Sequence, residues 1–302
     1  MGGGLSRHEL AVAVSEAGGL GTIAVNGSRA IERELAAARA LTARPIAVNL
    51  LLPFARGDWF AAAAAADVVV TFWGAPKRRV PGIWIHQCGS VAEARSAHAA
   101  DADAVIVQGV EAGGHVRGST PALELLEQVR AALPRDYPLL LAGGIAECGD
   151  VHRALDAGAI AAVAGTRFLL SEESRAHPGY RQRLLDADDT VLTELFGAGW
   201  PAPHRVVRNA ATERWLREDS RGPALNRALN RFLSPVARFT PPAIQHRLSR
   251  AQRPGGRLLS PAGPTDDGPD TLLEAGALYA GQTVARIHEV RPAAELVSAL
   301  TP

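Results

Sequence analysis

The sequence predicts an α/β protein built on a parallel sheet, either closed into a barrel or open and doubly wound. Two observations carry this. Short apolar, often β-branched runs recur seven times in the first 164 residues, and alanine-rich helical patterns fall between most of them. Strand and helix alternating in this way is the signature of parallel pairing. A third observation places a site on that scaffold. Three of the later runs open directly into glycine-rich turns, where a parallel sheet presents ligands to its loops.

In chain order the strand-like runs are Gly21–Val25, Pro45–Leu52, Val68–Trp73, Ile83–Cys88, Ala104–Gln108, Pro138–Leu141 and Ala161–Ala164. The helical patterns are Arg7–Ala17, Ala30–Leu41, Val91–Ala100, Ala122–Ala132 and Val151–Ala157. One connection breaks the rhythm: Gly74–Pro81 is too short and too proline-bounded for a crossover helix. A closed barrel needs eight strands, and the chain opens on Met1-Gly2-Gly3-Gly4, which reads as the loop after a strand. Either the sheet is open or its first strand lies outside this sequence. After Phe168 the alternation stops. Glu172–Asp186 is helical in pattern, Gly255–Pro269 reads as a linker, and Thr271–His288 is helical again with an interruption at Tyr279-Ala280-Gly281-Gln282. A mainly helical inserted domain is expected, with boundaries at 1–172, 173–268 and 269–302, the last segment returning to the sheet.

The strand Ala104–Gln108 runs into Gly109-Val110-Glu111-Ala112-Gly113-Gly114-His115. Glycines give this loop backbone conformations closed to other residues, and His115 has a side chain that moves protons near neutral pH. Alone, such a histidine would only cap a turn. Downstream, Pro138–Leu141 enters Ala142-Gly143-Gly144-Ile145, and Ala161–Ala164 enters Gly165-Thr166-Arg167-Phe168. Thr166 is placed to cap the next helix, and glycine turns at helix N-termini are anion sites. Ordinary α/β turns are the plain alternative for each motif taken singly. His86-Gln87-Cys88 at a strand end is balanced between pocket lining and packing. Glu111 is expected to brace the glycine loop.

Composition excludes several classes. The 302 residues are 47% hydrophobic and 21% charged with a net charge of +1, so no global field draws the chain to nucleic acid or membrane. Two cysteines, Cys88 and Cys148, make neither a disulfide framework nor a metal cluster, and a cytoplasmic location is expected. The apolar stretch Trp59–Trp73 is broken by Asp67 and is too short to cross a membrane. Lys77 is the sole lysine beside 31 arginines, a codon-bias signature. The twelve arginines of 201–260 therefore read as a solvated face, without the aromatic series that stacks nucleotides.

Taken together and in order, these motifs resemble the nitronate monooxygenase family, formerly called 2-nitropropane dioxygenases. The resemblance runs along nearly the whole chain. It includes Met1–Ser6 with Glu9-Leu10, Ala17–Gly21 and Val48-Asn49-Leu50, then the histidine loop and both later glycine turns. It ends with His204–Asn209 and Tyr279-Ala-Gly-Gln282. It implies a TIM-type (β/α)8 barrel, first strand missing here, with the smaller helical domain over its mouth and FMN held without a covalent link. It also implies roles. Gly143, Gly144, Gly165 and Thr166 would hold the FMN phosphate, while Asn49 and Gln108 would reach the flavin ring or ribityl chain. Gly113 and Gly114 would line the cofactor, and Tyr279, Gly281 and Gln282 would close over it. His115 would be the base that takes the proton beside a nitro group, with electrons passing to the flavin and then to molecular oxygen. Arg205, Arg208 and Asn209 would tie the inserted domain to the barrel, and the short Gly74–Pro81 connection would leave Trp73 and Lys77 near the mouth. The substrate is then a small nitronate or nitroalkane, with no metal and with the oligomeric state left open. Two alternatives remain at this point: a flavin-dependent enoyl-acyl-carrier-protein reductase using NAD(P)H, which shares a similar histidine loop, and a truncated homologue that binds FMN without turnover.

Overall fold

A computed structural model describes residues 2–76, 79–217, 219–237 and 247–302; Lys77 lies outside them. The chain divides into two compact units. The first comprises residues 1–112, 117–175 and 289–302, the second 113–116 and 176–288.

The first unit is a seven-stranded parallel sheet of TIM-type barrel order. Its strands are β1 (Gly21–Ile23), β2 (Ile46–Leu51), β3 (Val68–Phe72), β4 (Ile83–Cys88), β5 (Ala104–Gln108), β7 (Leu139–Ala142) and β8 (Ala161–Val163), each paired to the next in that order. All seven coincide with the strand-like runs of the sequence. β1 and β8 are the two ends of the sheet. The N-terminal segment lies against the residue that follows β1, with Gly4 donating to the Ala24 carbonyl and Ala24 to that of Ser6.

Side-chain alternation splits the sheet into two faces. Ala47, Val68, Val70, Ile85, Ala104, Ile106 and Ala142 pack together on one face as a small-residue interior. Val48, Val69, Trp84, Val105, Val107, Leu139 and Leu141 face the helices and form the larger core with them. The helices fit that surface because of their spacing. In α2 (Ser28–Leu41) Ile31, Glu34, Leu35 and Ala38 are buried, and in α5 (Ala122–Ala132) Ala122, Leu125, Leu126 and Val129, in each case the stripe of one helical face. Ser90 caps α4 (Val91–Ala99) by accepting from the Glu93 N–H, and a Glu147/Asp150 capping box starts α6 (Cys148–Asp156). The last helix, Ala293–Leu300, belongs to this unit. Both Glu173 carboxylate oxygens accept its first N–H, from Ala293, at 3.1 and 2.9 Å.

The second unit holds α8 (Pro178–Leu185), α9 (Ala210–Trp215), α10 (Ala224–Ala237) and a three-stranded antiparallel sheet. The sheet runs β6 (Gly114–His115), β10 (His204–Val206), β9 (Val191–Thr193). Its core gathers Leu195, Phe196, Val206, Ala211 and Leu259. Asn209 is structural here. It accepts from Thr212 to cap α9 and donates to the carbonyls of Leu273 and Gly276 at 3.0 and 2.9 Å. Among the described residues no helix is long and apolar enough to cross a membrane.

Candidate functional site

In the sheet unit, the candidate residues sit where strands end. Asn49 in β2 and Gln108 in β5 fall on the alternation of Ala47, Ala104 and Ile106, so both point to the interior face. The Asn49 Oδ1 is buried without a hydrogen-bond partner among the described residues, an acceptor waiting for a donor. Gln108 is 3% exposed and its Oε1 accepts the Arg117 N–H at 3.1 Å, which fixes the carboxamide.

His86 does not line this interior. It falls in β4 with Trp84 and Cys88 on the helix-facing side, while Gln87 between them faces inward. The Trp84 Nε1–H donates to Thr71 Oγ1 at 2.7 Å, and that hydroxyl meets His86 Nδ1 at 2.8 Å. Burial pushes the His86 pKa down to about 4, so this relay holds a neutral ring as part of the core.

The two glycine turns differ from the surrounding packing. Gly143 and Gly144 have φ of +104° and +78°, a turn open to glycine and strained for other residues. A side chain at Gly144 or at Gly165 would meet nothing within 4 Å. Gly165 occupies the cap position of the short helix α7 (Thr166–Leu169), and Thr166 is its first helical residue rather than its cap. Arg167 beside it is buried and donates to the Glu289 carbonyl at 3.2 Å.

The histidine loop spends its glycines on three distinct needs. A Cβ on Gly109 would lie 2.4 Å from Ala122 Cα, because Glu111 folds back so that both its oxygens accept the Ala122 N–H at 3.1 and 3.0 Å. Glu111 thus braces the loop. On Gly113 a Cβ would lie 2.5 Å from Ala280 C and Gly281 N, so the loop can approach the Tyr279–Gln282 segment only as glycine. Gly114 has φ +76°, with open space before it.

In the second unit His115 pairs with His204 across the antiparallel sheet. Its imidazole stacks on the Trp200 indole, centroids 3.6 Å apart and planes 12° from parallel. His204 and Tyr279 complete the surround at 5.3 and 5.6 Å. Burial, reinforced by His204, holds the His115 pKa well below the ordinary histidine value, so the ring is neutral at pH 7. His204 spends both nitrogens on backbone: Nδ1–H donates to the Ala202 carbonyl at 2.9 Å and Nε2 accepts from the Phe196 N–H at 3.2 Å. Tyr279 likewise donates its hydroxyl to the Pro261 carbonyl at 2.6 Å and presents only its ring to the histidine. One aromatic enclosure therefore contains two histidines of different standing, His204 committed to the fold and His115 held flat against an indole. Trp200 went unnoticed in the sequence; its only signal is the glycine-flanked Phe196-Gly-Ala-Gly-Trp200 run.

Comparison with known proteins places this arrangement among relatives. The sequence model described as nitronate monooxygenase matches residues 1–74 and 71–302. A nitronate monooxygenase of Pseudomonas aeruginosa is 35% identical over 69% of this chain and 76% of its own length. An octahydroindene-carboxyl-CoA dehydrogenase of Mycobacterium tuberculosis is 33% identical over 70% of this chain and 62% of its own. Among solved structures, FabK from Thermotoga maritima superposes with a TM-score of 0.76 at 29% identity, covering 99% of this chain and 90% of that one. A nitroalkane oxidase from Streptomyces ansochromogenes gives 0.75 at 29% identity, covering 99% and 92%.

Proposed function

The chain belongs to the nitronate monooxygenase family and is an oxidoreductase, and from that premise we propose that it oxidises nitronates or nitroalkanes with FMN and molecular oxygen, His115 serving as base. The observation that carries this reading is the state of His115, a neutral imidazole whose plane is fixed by Trp200. Low basicity keeps the ring unprotonated and ready to accept. As the proton leaves the carbon beside a nitro group, the nitronate anion forming next to the ring raises its hold on that proton. The fixed plane spares the cost of orienting the acceptor at the moment of transfer.

The sheet unit fits a flavin mononucleotide. Gly143, Gly144, Gly165 and Thr166 would receive the phosphate, with open space before the backbone at Gly144 and Gly165. Asn49 offers a buried acceptor and Gln108 a fixed carboxamide for the ring or ribityl chain. In the second unit Gly113, Gly114, Tyr279, Gly281 and Gln282 are the further residues proposed for cofactor binding. When bound, FMN supplies the electron-accepting chemistry and its reoxidation by oxygen.

A second reading, a flavin-dependent enoyl-thioester reductase drawing on NAD(P)H, is favoured by the likeness to FabK. One cuvette separates the two. Purified protein should show flavin absorbance that bleaches on anaerobic addition of propyl nitronate and recovers in air. Bleaching by NADH with indifference to nitronate would move the protein to the reductase reading, and a colourless protein that takes up no added FMN would overturn both.

A further inference from the structure

We propose that Trp73 is a fixed aromatic wall that sets the size of substrate this enzyme accepts, favouring small aliphatic nitronates over aromatic ones; this rests on the functional reading above. Trp73 follows β3 directly, at the C-terminal end of a parallel strand, the end at which barrel enzymes take their substrates. Its φ is +79°, one of two non-glycine residues in that region among those described. For a bulky aromatic residue this conformation is strained. Gly74 continues the turn at φ +106°, so a glycine pair would make the same bend without strain, yet the bend carries the largest side chain available.

That side chain is held. The Arg117 guanidinium lies over the indole at 4.9 Å, and Phe72 meets it edge-on at 5.5 Å and 83°. Arg117 is itself anchored by its Nε bond to Glu93, a carboxylate with only 11% of its side chain exposed, which also accepts the Gly89 N–H at 3.0 Å. Two glycines let these elements meet, since a Cβ on Gly118 would lie 2.0 Å from the Gly89 carbonyl oxygen. The Arg117 N–H in turn fixes Gln108 at 3.1 Å. A strained indole, braced on the chain of contacts that also fixes the inward carboxamide of β5, cannot swing aside for a larger substrate. The short connection after it adds no helix in front: among the described residues no helix falls between β3 and β4.

The test compares wild type, Trp73→Gly and Trp73→Phe, each loaded with FMN. Two readouts are taken: kcat/KM for propyl nitronate and for the nitronate of phenylnitromethane, and Kd for butyrate and phenylacetate, carboxylates isoelectronic with those nitronates, from the flavin absorbance change. Glycine suits the backbone here, so Trp73→Gly should fold. It should shift the aromatic-to-aliphatic ratio at least tenfold toward the aromatic member in both readouts, with Trp73→Phe between. An unchanged ratio, or equal losses on both members, overturns the wall while leaving the functional reading in place. A wild type that binds FMN but neither oxidises nor binds any member overturns the functional reading and the wall with it.

Discussion

The imidazole of His115 and the indole of Trp200 lie face to face, 3.6 Å between centroids and 12° between planes. The stack fixes the direction of the histidine nitrogens without using either in a hydrogen bond to the indole. Trp200→Leu keeps the enclosure apolar and removes the flat support. It should lower kcat for a neutral nitroalkane by about ten- to a hundredfold, the scale of a misplaced catalytic group, with little change in KM. Steady-state kinetics on the purified variant checks this; an unchanged kcat would mean that the stack does not orient the base.

The glycines divide into those that pack and those that leave room. Gly109→Ala and Gly113→Ala force Cβ atoms within 2.4 and 2.5 Å of backbone, so both should lose stability by about 1–3 kcal/mol or more, read as a lower Tm. At Gly165 the backbone is unstrained and the space open, so Gly165→Val should keep the Tm of the apoprotein and lose bound FMN, read from the absorbance of the purified protein. A Gly165→Val variant that retains full flavin would remove this turn from the phosphate site.

Acid should destabilise the fold through its buried histidines. Burial pushes His86 and His204 down to about 4 and holds His115 well below its ordinary value. In the unfolded chain all three titrate near 6.5. Between those limits the unfolded state binds more protons, so stability is full above about pH 6.5 and falls as pH drops toward 4. Urea unfolding at a series of pH values should show uptake of two to three protons in that window, and flat stability would contradict the assigned neutral rings.

Asn226 and Asn230 lie one helical turn apart on α10, each 1% exposed, with no hydrogen-bond partner among the described residues for either carboxamide. Leucine has nearly the same shape and carries no polar atoms. The double change Asn226→Leu, Asn230→Leu should therefore raise stability by about 1–3 kcal/mol in chemical denaturation. A loss instead would show that buried water satisfies the pair.

Much of the sheet unit was legible because its signals are long relative to their period. Runs such as Val68–Phe72 and Ala104–Gln108 are buried on both faces and announce themselves as continuous apolar strands. Three things were not legible. β6, β9 and β10 are two or three residues long, too short for any alternation to show, so the sheet that presents His115 left no pattern. The side taken by His86 was left open: at a strand end, neighbouring side chains go to opposite faces, and only the register with Thr71 and Trp84 decides which. Trp200 is 85 positions from His115, and nothing local encodes a long-range stack. The glycine loop was readable as special, but the reason for each glycine was not. Gly109 answers to Ala122, and Gly113 to Ala280 and Gly281.

The central claim is that His115 takes a proton from substrate, and one comparison tests it most directly: turnover of a neutral nitroalkane and of its preformed nitronate by His115→Ala with FMN bound. A positioned base contributes about 10²–10⁴-fold, so the variant should lose that much on the nitroalkane and markedly less on the nitronate, whose proton is already gone. A nitroalkane rate within about threefold of wild type, or equal losses on both substrates, would contradict the assignment.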